Sequence, residues 1–260
     1  AAGLLARPAR GVAEAGRIQV GVVHIIEERV LGVDGTTDVA GGPGARHAHL
    51  AGEAVHLDLD HLRAEAEDAD LRERQQTYLQ SRIPQHLSRI EWLDHLSERI
   101  NAVVIGNEVL DALPVYRVHA NHDGIAEIGV IATDTGYAWS ARPAAGALAA
   151  AAAQLQLPDD YETEISLAAP TLIADLAQRL DRGVLLFIDY GFPAREFFHL
   201  QRNRGTLMCH YRHHSHDYPF LWPGLQDITA HVDFSAVAQA GAGLDLLAYV
   251  NQAQFLINCG

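Results

Sequence analysis

The chain has 260 residues, 48% of them hydrophobic and 20% charged, which is enough for one large domain or two small ones with a sizeable core. Its formal net charge is −14 and all 19 of its Lys and Arg residues are arginine, so binding to nucleic acid or to an anionic membrane is not expected. Two cysteines provide no disulfide framework, and we find no secretory leader and no bilayer-length apolar run. We therefore expect a soluble intracellular protein.

The N-terminal quarter differs in composition from the rest of the chain. Every aromatic residue lies at or after Tyr78, and residues 1–66 contain few clear helix or strand boundaries. The segment Ile18 to Val30 predicts a buried strand that runs into a helix. A turn-rich stretch with the sequence GGPG follows it. Because the chain begins with Ala1 and its only methionine is Met208, we expect it to be part of a longer gene product.

Clearer signals begin at Leu71. LRERQQTYLQSRI predicts a helix that Pro84 interrupts, and RIEWLDHL predicts a short strand and turn. Residues 102–105 predict a buried strand that ends at the polar pair Asn107 and Glu108. A hairpin is expected around His122-Asp123-Gly124.

The second half continues the alternation of helices and strands. Helices are predicted over residues 144–157 and from Pro170 to a stop at Gly183, and a short one in DFSAVAQAGAGL. A buried strand over residues 184–188 ends at Asp189 and Tyr190, and YVNQAQFLIN predicts a last strand. The pattern indicates an α/β fold with a mainly parallel sheet and some antiparallel strands at one edge. Since ligands bind at the carboxyl ends of such strands, the two polar strand ends should face one crevice.

The first of these strand ends carries two acidic residues. Glu108 and Asp111 are three residues apart, so a helical turn would place both carboxylates on one face. Such a pair could act as acid and base, bind a metal, or hold a cation such as guanidinium. The alternative is a pair of acids that only stabilises a helix N-terminus through the helix dipole.

The segment from Gly205 to Phe234 combines five histidines, a cysteine, acids and aromatic residues. This mixture is typical of a pocket wall that excludes water and orients a polar substrate, although an ordered loop would fit as well. No Cys-x-x-Cys pair and no His-Glu-x-x-His motif occurs, so we do not expect a metal site. Asp233 is expected to cap the helix that follows it.

Four motifs carry a family resemblance. GNEVLDALPVYR, LLFIDYGFPAREFFH, the Gly205 to Phe234 segment and QAQFLINCG resemble the MidA-type family of S-adenosylmethionine-dependent methyltransferases, over about residues 69–260. The resemblance implies a Rossmann-like class I methyltransferase fold, with a mostly parallel seven-stranded sheet flanked by helices. It also implies a family-specific insertion between the fourth and fifth strands. We divide the chain into a divergent cofactor-binding part, residues 1–68, and a methyltransferase core, residues 69–260.

The resemblance and the strand-end positions together predict roles for single residues. The resemblance implies that S-adenosyl-L-methionine is the cofactor and that a protein arginine is the substrate. The chemistry of methylating a guanidinium requires that carboxylates hold this cation. The expected catalytic residues are Glu108, Asp111, Asp189, Tyr190, His210, Asp227 and His231. The expected cofactor-binding residues are Gly41, Gly42, Gly44 and Asn107, although the glycines also fit an ordinary turn.

Two further function classes stay open at this point. One is a non-catalytic family member that keeps the fold and binds a partner protein, and the more distant one is a metal-dependent hydrolase. We expect an arginine-bearing protein as partner, and a homodimer is open. We expect the cytoplasm of a bacterium as the location, or mitochondria for a eukaryotic source.

Overall fold

A computed structural model describes residues 2–7, 19–23, 54–55, 65–93 and 95–259 of the chain. Its strands are β1 (Ala2–Arg7), β2 (Gln19–Val23), β3 (Ala54–Val55), β4 (Ile90–Glu91), β5 (Ile100–Asn107), β6 (Tyr116–Asn121), β7 (Gly124–Thr133), β8 (Gly136–Pro143), β9 (Tyr161–Ile165), β10 (Leu180–Ile188), β11 (Gly191–Phe192), β12 (Met208–Tyr211), β13 (His214–His216), β14 (Asp227–Thr229), β15 (Val232–Asp233) and β16 (Asp245–Val250). Its α-helices are α1 (Glu65–Arg82), α2 (Gly146–Ala153), α3 (Ala168–Arg179), α4 (Ala194–Phe197), α5 (Phe234–Ala240) and α6 (Gln252–Cys259). Two short 3-10 helices span Pro84–Arg89 and Leu200–Arg202.

The central sheet contains five described strands in the order β16-β1-β10-β5-β2. β10, β5 and β2 run parallel to one another, whereas β1 is antiparallel to both β10 and β16. The expected α/β class is confirmed. The expected seven-stranded, mostly parallel sheet is not, because the described sheet is mixed and the N-terminal strand β1 lies between β10 and β16.

One core cluster holds the sheet and its helices together. Ile173 and Leu176 of α3 are fully buried, and they pack in one cluster with Val104 of β5, Leu185 of β10 and Val237 of α5. The spacing of the apolar residues in α3 is that of a helix with a single buried face. The core therefore lies along the whole length of β5 and β10, from Ile100 and Leu180 at their starts to Phe187 near the carboxyl end of β10.

Gly183 was expected to end the third helix, and this prediction is wrong. The helix ends at Arg179, and Gly183 lies within β10 with φ +147°. A Cβ atom at this position would lie 1.8 Å from the backbone oxygen of Ala102 in the neighbouring strand. Only glycine permits this approach of the two strands.

Replacing Gly183 with alanine should destabilise the fold strongly. The substitution forces a collision with β5 at a backbone conformation that residues with side chains rarely adopt, so the free energy of unfolding should fall by about 2–3 kcal/mol. Chemical denaturation would measure the loss. Gly129→Ala in β7 is the matched control, because its Cβ would meet only Ser140 at 3.7 Å. Equal stability of the two variants would contradict this prediction.

A separate antiparallel sheet is inserted between β5 and β10. Its strands have the order β8-β7-β6-β9, and Leu148 and Ala152 of α2 pack against its residues Val118 and Ile165. β6 and β7 form the expected hairpin, in which Asn121 accepts a hydrogen bond from the amide of Asp123 at 2.9 Å. The strands of this hairpin are thus not at an edge of the central sheet but form a sheet of their own, whereas β16 and β1 do form an antiparallel pair at one edge.

The C-terminal segment QAQFLIN was expected to be a strand, and it forms the helix α6 instead. The strand β16 ends at Val250, and Asn251 then accepts a hydrogen bond from the amide of Gln254 at 2.8 Å. An asparagine in this position is a strong helix-start signal, and it outweighs the apolar run.

Other local predictions are confirmed. α1 contains the helix predicted from Leu71, and a 3-10 helix begins at Pro84. Asp233 caps α5 by accepting hydrogen bonds from the amides of Ser235 and Ala236, as expected. None of the helices that the structure describes has the length and apolar character needed to cross a bilayer.

Candidate functional site

The carboxyl ends of β5 and β10 are adjacent in the central sheet. Asn107 is paired with Ile188, and the amide of Glu108 donates a hydrogen bond to the carbonyl oxygen of Ile188 at 2.8 Å. The next residue after β10 is Asp189. The structure therefore brings the two polar strand ends, Asn107-Glu108 and Asp189-Tyr190, to the same edge of the sheet.

Asp189 organises the turn that follows β5. Its Oδ2 accepts hydrogen bonds from the amides of Val109 at 3.1 Å and Leu110 at 2.8 Å, and its Oδ1 accepts one from Tyr190 at 2.9 Å. The side chain is only 4% exposed. A buried carboxylate with several amide donors is a fixed structural anchor, so Asp189 positions the residues around it.

Burial dominates the ionisation of Asp189. Removal of the carboxyl from water raises its pKa from the ordinary value of 3.8 to about 6, although the amides of Leu110, Tyr190, Asp111 and Val109 act in the opposite direction. The folded protein therefore binds a proton at this carboxyl more tightly than the unfolded chain does.

This raised pKa makes the stability of the protein depend on pH. Because the folded pKa lies above the unfolded one, the contribution of Asp189 is largest below about pH 4 and is lost as the pH rises through about 6. Relative to the non-titrating variant Asp189→Asn, the free energy of unfolding should fall by up to about 3 kcal/mol over this range. Urea denaturation of both proteins between these two pH values would measure the difference. A constant difference would contradict the burial argument.

Glu108 and Asp111 differ in their surroundings. Glu108 is exposed and has a left-handed backbone with φ +51°, whereas Asp111 is only 7% exposed. The residues between them form a turn and not a helix, so the expected helical placement of the pair is wrong. The physical reason is the left-handed backbone of Glu108, which lies outside the right-handed helical region.

Tyr190 and Asn107 flank this turn. The ring of Tyr190 is 59% exposed, and its backbone carbonyl accepts a hydrogen bond from the amide of Val232 at 2.8 Å. Asn107 is half-buried at the last position of β5. Tyr190 thus joins the acidic turn to the segment that carries His231.

The segment around His231 contacts Asp111 and Tyr190 through its backbone. The amide of the preceding residue, Ala230, donates a hydrogen bond to the carbonyl of Asp111 at 3.1 Å, and the His231 ring meets Phe192 edge-on at 5.1 Å. Burial and the nearby Arg202 lower the pKa of His231 below its ordinary value. Its buried Nδ1 makes no hydrogen bond within the described part of the chain.

His210 and Asp227 belong to a smaller sheet. They face each other across β12 and β14, where His210 is exposed and Asp227 is half-buried. The two-residue turn Arg212-His213 has positive φ angles and joins β12 to β13, so much of the histidine cluster is a hairpin. Backbone hydrogen bonds thus connect Asp111, Tyr190 and the His231 segment, whereas His210 and Asp227 pair within the small sheet.

The remaining predicted cofactor residues cannot be placed. Gly41, Gly42 and Gly44 lie outside the described residues. Within the described residues, no three His, Cys, Asp or Glu side chains come together in a group that could hold a metal ion.

Sequence reasoning missed Glu164. This residue of β9 is only 2% exposed, and its Oε2 accepts hydrogen bonds from the amide of Thr206 at 2.7 Å and from the Thr206 hydroxyl at 3.0 Å. No local pattern in YETEIS marks it, because its partner is 42 residues further along the chain. A buried acid is recognised only when the tertiary contact is known.

Acidic and polar residues follow two neighbouring parallel strands, at the edge where open α/β sheets bind their ligands. This arrangement is typical of nucleotide-binding α/β enzymes. Residues 65–250 match the family model "Putative S-adenosyl-L-methionine-dependent methyltransferase". The chain belongs to this family of S-adenosyl-L-methionine-dependent methyltransferases.

Relatives of known name and known structure agree with this assignment. The chain is 30% identical over 162 residues to "Protein arginine methyltransferase NDUFAF7, mitochondrial" of Xenopus tropicalis, covering 60% of this chain and 36% of the relative. It is 30% identical over 166 residues to the NDUFAF7 homolog of Drosophila melanogaster, with the same coverage of 60% and 36%.

Two crystal structures of proteins from Burkholderia thailandensis are similar to this structure, and in each the sequence is 46% identical to that of the chain. One, bound to S-adenosyl-homocysteine, has a TM-score of 0.69 and covers 80% of this chain and 52% of its own. The other, a native structure, has a TM-score of 0.71 and covers 80% and 55%. The chain therefore spans about a third of the curated relatives and about half of the solved structures.

Proposed function

We propose that the protein transfers a methyl group from S-adenosyl-L-methionine to an arginine side chain of a protein substrate. The observation that carries the proposal is the acidic turn Glu108 to Asp111, which the buried carboxylate of Asp189 holds at the carboxyl edge of parallel strands. Arginine as the substrate is supported by the printed names of the two mitochondrial relatives.

The residues at the sheet edge suit the cofactor that the family uses. Asn107 offers an amide at the end of β5, and such a group binds the hydroxyl and amino groups of a nucleoside or an amino acid. Asn107 and the predicted glycines Gly41, Gly42 and Gly44 are the residues that would hold the cofactor. When bound, it supplies a methyl group carried on a positively charged sulfur.

The acidic turn would then hold the substrate. A guanidinium group stays charged at neutral pH, and two carboxylates bind it through charge-assisted hydrogen bonds of defined direction. Glu108 is exposed and can meet the incoming side chain first, whereas the buried Asp111 is held in place. Orientation of one guanidinium nitrogen toward the methyl group is the main contribution expected from such a clamp.

His231 is the residue best suited to accept a proton. Methylation of a guanidinium nitrogen would form an N–C bond while the methyl–sulfur bond of the cofactor breaks and S-adenosyl-L-homocysteine leaves. The nitrogen must also lose one proton for the product to keep a single positive charge. The lowered pKa keeps His231 neutral at pH 7, and its buried Nδ1 makes no hydrogen bond among the described residues. We assign Tyr190 to the wall of the site and His210 and Asp227 to its outer rim.

Two measurements test the proposal. Calorimetric titration of S-adenosyl-L-methionine into the 260-residue chain should show binding, and methyl-labelled cofactor should transfer its label to arginine-containing peptides. The same peptides with lysine in place of arginine are the matched control and should stay unlabelled. Labelling of the lysine peptides would overturn the arginine assignment. A folded sample that does not bind the cofactor would favour the alternative, a partner-binding protein without turnover.

Further parts of the proposal concern the fold, the location and the partners. We infer a class I seven-stranded sheet, which the parallel run β10-β5-β2 supports. We also propose a bacterial source, which the 46% identical proteins from Burkholderia thailandensis support, and a cytoplasmic location. The net charge of −14 argues against nucleic acid as a partner. A homodimer would be detected by sedimentation.

A further inference from the structure

Glu164 connects the inserted antiparallel sheet to the segment that carries His231. The residue lies on β9, opposite Arg117 of β6, and its carboxylate is buried. Thr206 donates two hydrogen bonds to Glu164 Oε2, from its amide and from its hydroxyl. Burial raises the pKa of Glu164, while these bonds and the charge of Arg117 oppose that effect. A buried acid is costly to a fold unless its contacts serve the structure around it.

The backbone beside Thr206 is shaped to approach this carboxylate. Gly205 has φ +75°, and a Cβ atom there would lie 2.1 Å from Glu164 Oε1. A residue with a side chain would therefore push the carboxylate away from Thr206. Gly205 and Thr206 thus together accommodate and hydrogen-bond the carboxylate of Glu164, which belongs to a strand distant in sequence.

The hydroxyl of Thr206 also contacts His231 of the candidate site. Thr206 Oγ1 accepts a hydrogen bond from the amide of His231 at 3.0 Å, while its own hydrogen is donated to Glu164. The neighbouring amide, that of Ala230, bonds to the carbonyl of Asp111 at 3.1 Å. A continuous path of hydrogen bonds therefore runs from Glu164 through Thr206 to His231, beside the contact between Ala230 and the acidic turn.

We infer that Glu164, acting through Thr206, is a positioning residue that holds His231 against the acidic turn of Asp111. The inference rests on the proposed function for the meaning of His231, but the contact itself is independent of any substrate. The inserted sheet thereby becomes part of the site, because a residue of β9 fixes the orientation of a site residue in another segment. Glu164 is not expected to touch the substrate.

The direct test is the titration of His231, which needs no substrate. Thr206→Val keeps the shape of the side chain but removes the hydroxyl, so the His231 amide loses its acceptor. We expect the ring to leave its buried position beside Phe192 and its pKa to rise toward the ordinary value, as followed by NMR. Thr206→Ser keeps the hydroxyl and should restore the original titration. An unchanged His231 titration in folded Thr206→Val would overturn the inference.

Thr171→Val is the matched control. The Thr171 hydroxyl also bonds to a backbone atom, the carbonyl of Leu167, but it lies at the start of α3 and is exposed. Its replacement should leave the His231 titration unchanged. If Thr206→Val does not fold, Glu164→Gln, which has nearly the same volume, provides the second variant. It should shift the His231 titration in the same direction, and an unchanged titration would again overturn the inference.

Turnover separates this inference from the proposed function. If the wild-type chain methylates arginine peptides, Thr206→Val should lower kcat by about 10–100-fold with little change in KM for the cofactor, and Thr206→Ser should recover it. An unchanged kcat would overturn the positioning role. If the wild-type chain transfers no methyl group, the proposed function fails, and the His231 titration alone decides whether Glu164 positions this residue.

Discussion

Replacing Asp189 with alanine should lower the free energy of unfolding by about 3–6 kcal/mol, because three amides, two of them buried and one partly buried, lose their acceptor at once. These are the amides of Val109, Leu110 and Tyr190, and the shortened side chain leaves them without a replacement. Thermal and chemical denaturation at pH 7 would measure the effect. Methyl transfer should also be lost, since the turn from Glu108 to Asp111 no longer has its anchor.

Asp233→Ala is the matched control for this experiment. Asp233 also accepts backbone hydrogen bonds, from Ser235 and Ala236, but it does so as the cap of α5. Its loss should cost only about 1 kcal/mol. If Asp189→Ala were no more harmful than the loss of a helix cap, Asp189 could not be the anchor of the acidic turn.

The double variant Glu108→Gln, Asp111→Asn should lower methyl transfer to arginine peptides by about 10²–10³-fold. Both substitutions remove a negative charge and keep the shape of the side chain, so the guanidinium loses its charge-assisted hydrogen bonds. Calorimetry should show that S-adenosyl-L-methionine still binds with the affinity of the wild type. The fall in rate should appear with saturating cofactor.

A control with the same change in charge comes from the inserted sheet. Asp123 and Asp134 are exposed acids in its two hairpin turns, and Asp123→Asn, Asp134→Asn removes two charges from the same chain. This control should keep wild-type turnover. Comparable turnover of wild type and the Glu108, Asp111 double variant would rule out the clamp. Loss of turnover in both double variants would point to a general effect of net charge.

Local sequence signals predicted the elements that depend on neighbouring residues. The buried strands β5 and β10, the hairpin between β6 and β7 and the cap of α5 all follow from short patterns of apolar, turn-forming or capping residues. QAQFLIN was predicted wrongly because the apolar run was given more weight than the capping asparagine before it. That error concerned a local signal that was present and was not used.

Other errors concerned contacts between distant parts of the chain. A glycine after a helical segment is a common helix-stop signal, but Gly183 instead allows β10 to approach Ala102 of β5 closely. The acidic pair has helical spacing, but Glu108 has a left-handed backbone where the chain leaves β5, and its amide is bound to Ile188 of β10. The mixed order of the central sheet also depends on β1, which lies far from β10 in sequence.

The sequence by itself determined the α/β class, the polar ends of two parallel strands and the family of methyltransferases to which the chain belongs. These properties follow from the periodicity of apolar residues and from motifs of neighbouring residues. Only the tertiary structure decided that Asp189 is an anchor, that Asp111 is buried while Glu108 is exposed, and that Glu164 reaches the His231 segment through Thr206. The physical reason is that burial and hydrogen bonding belong to pairs of residues 25 to 80 positions apart, and no local pattern encodes them.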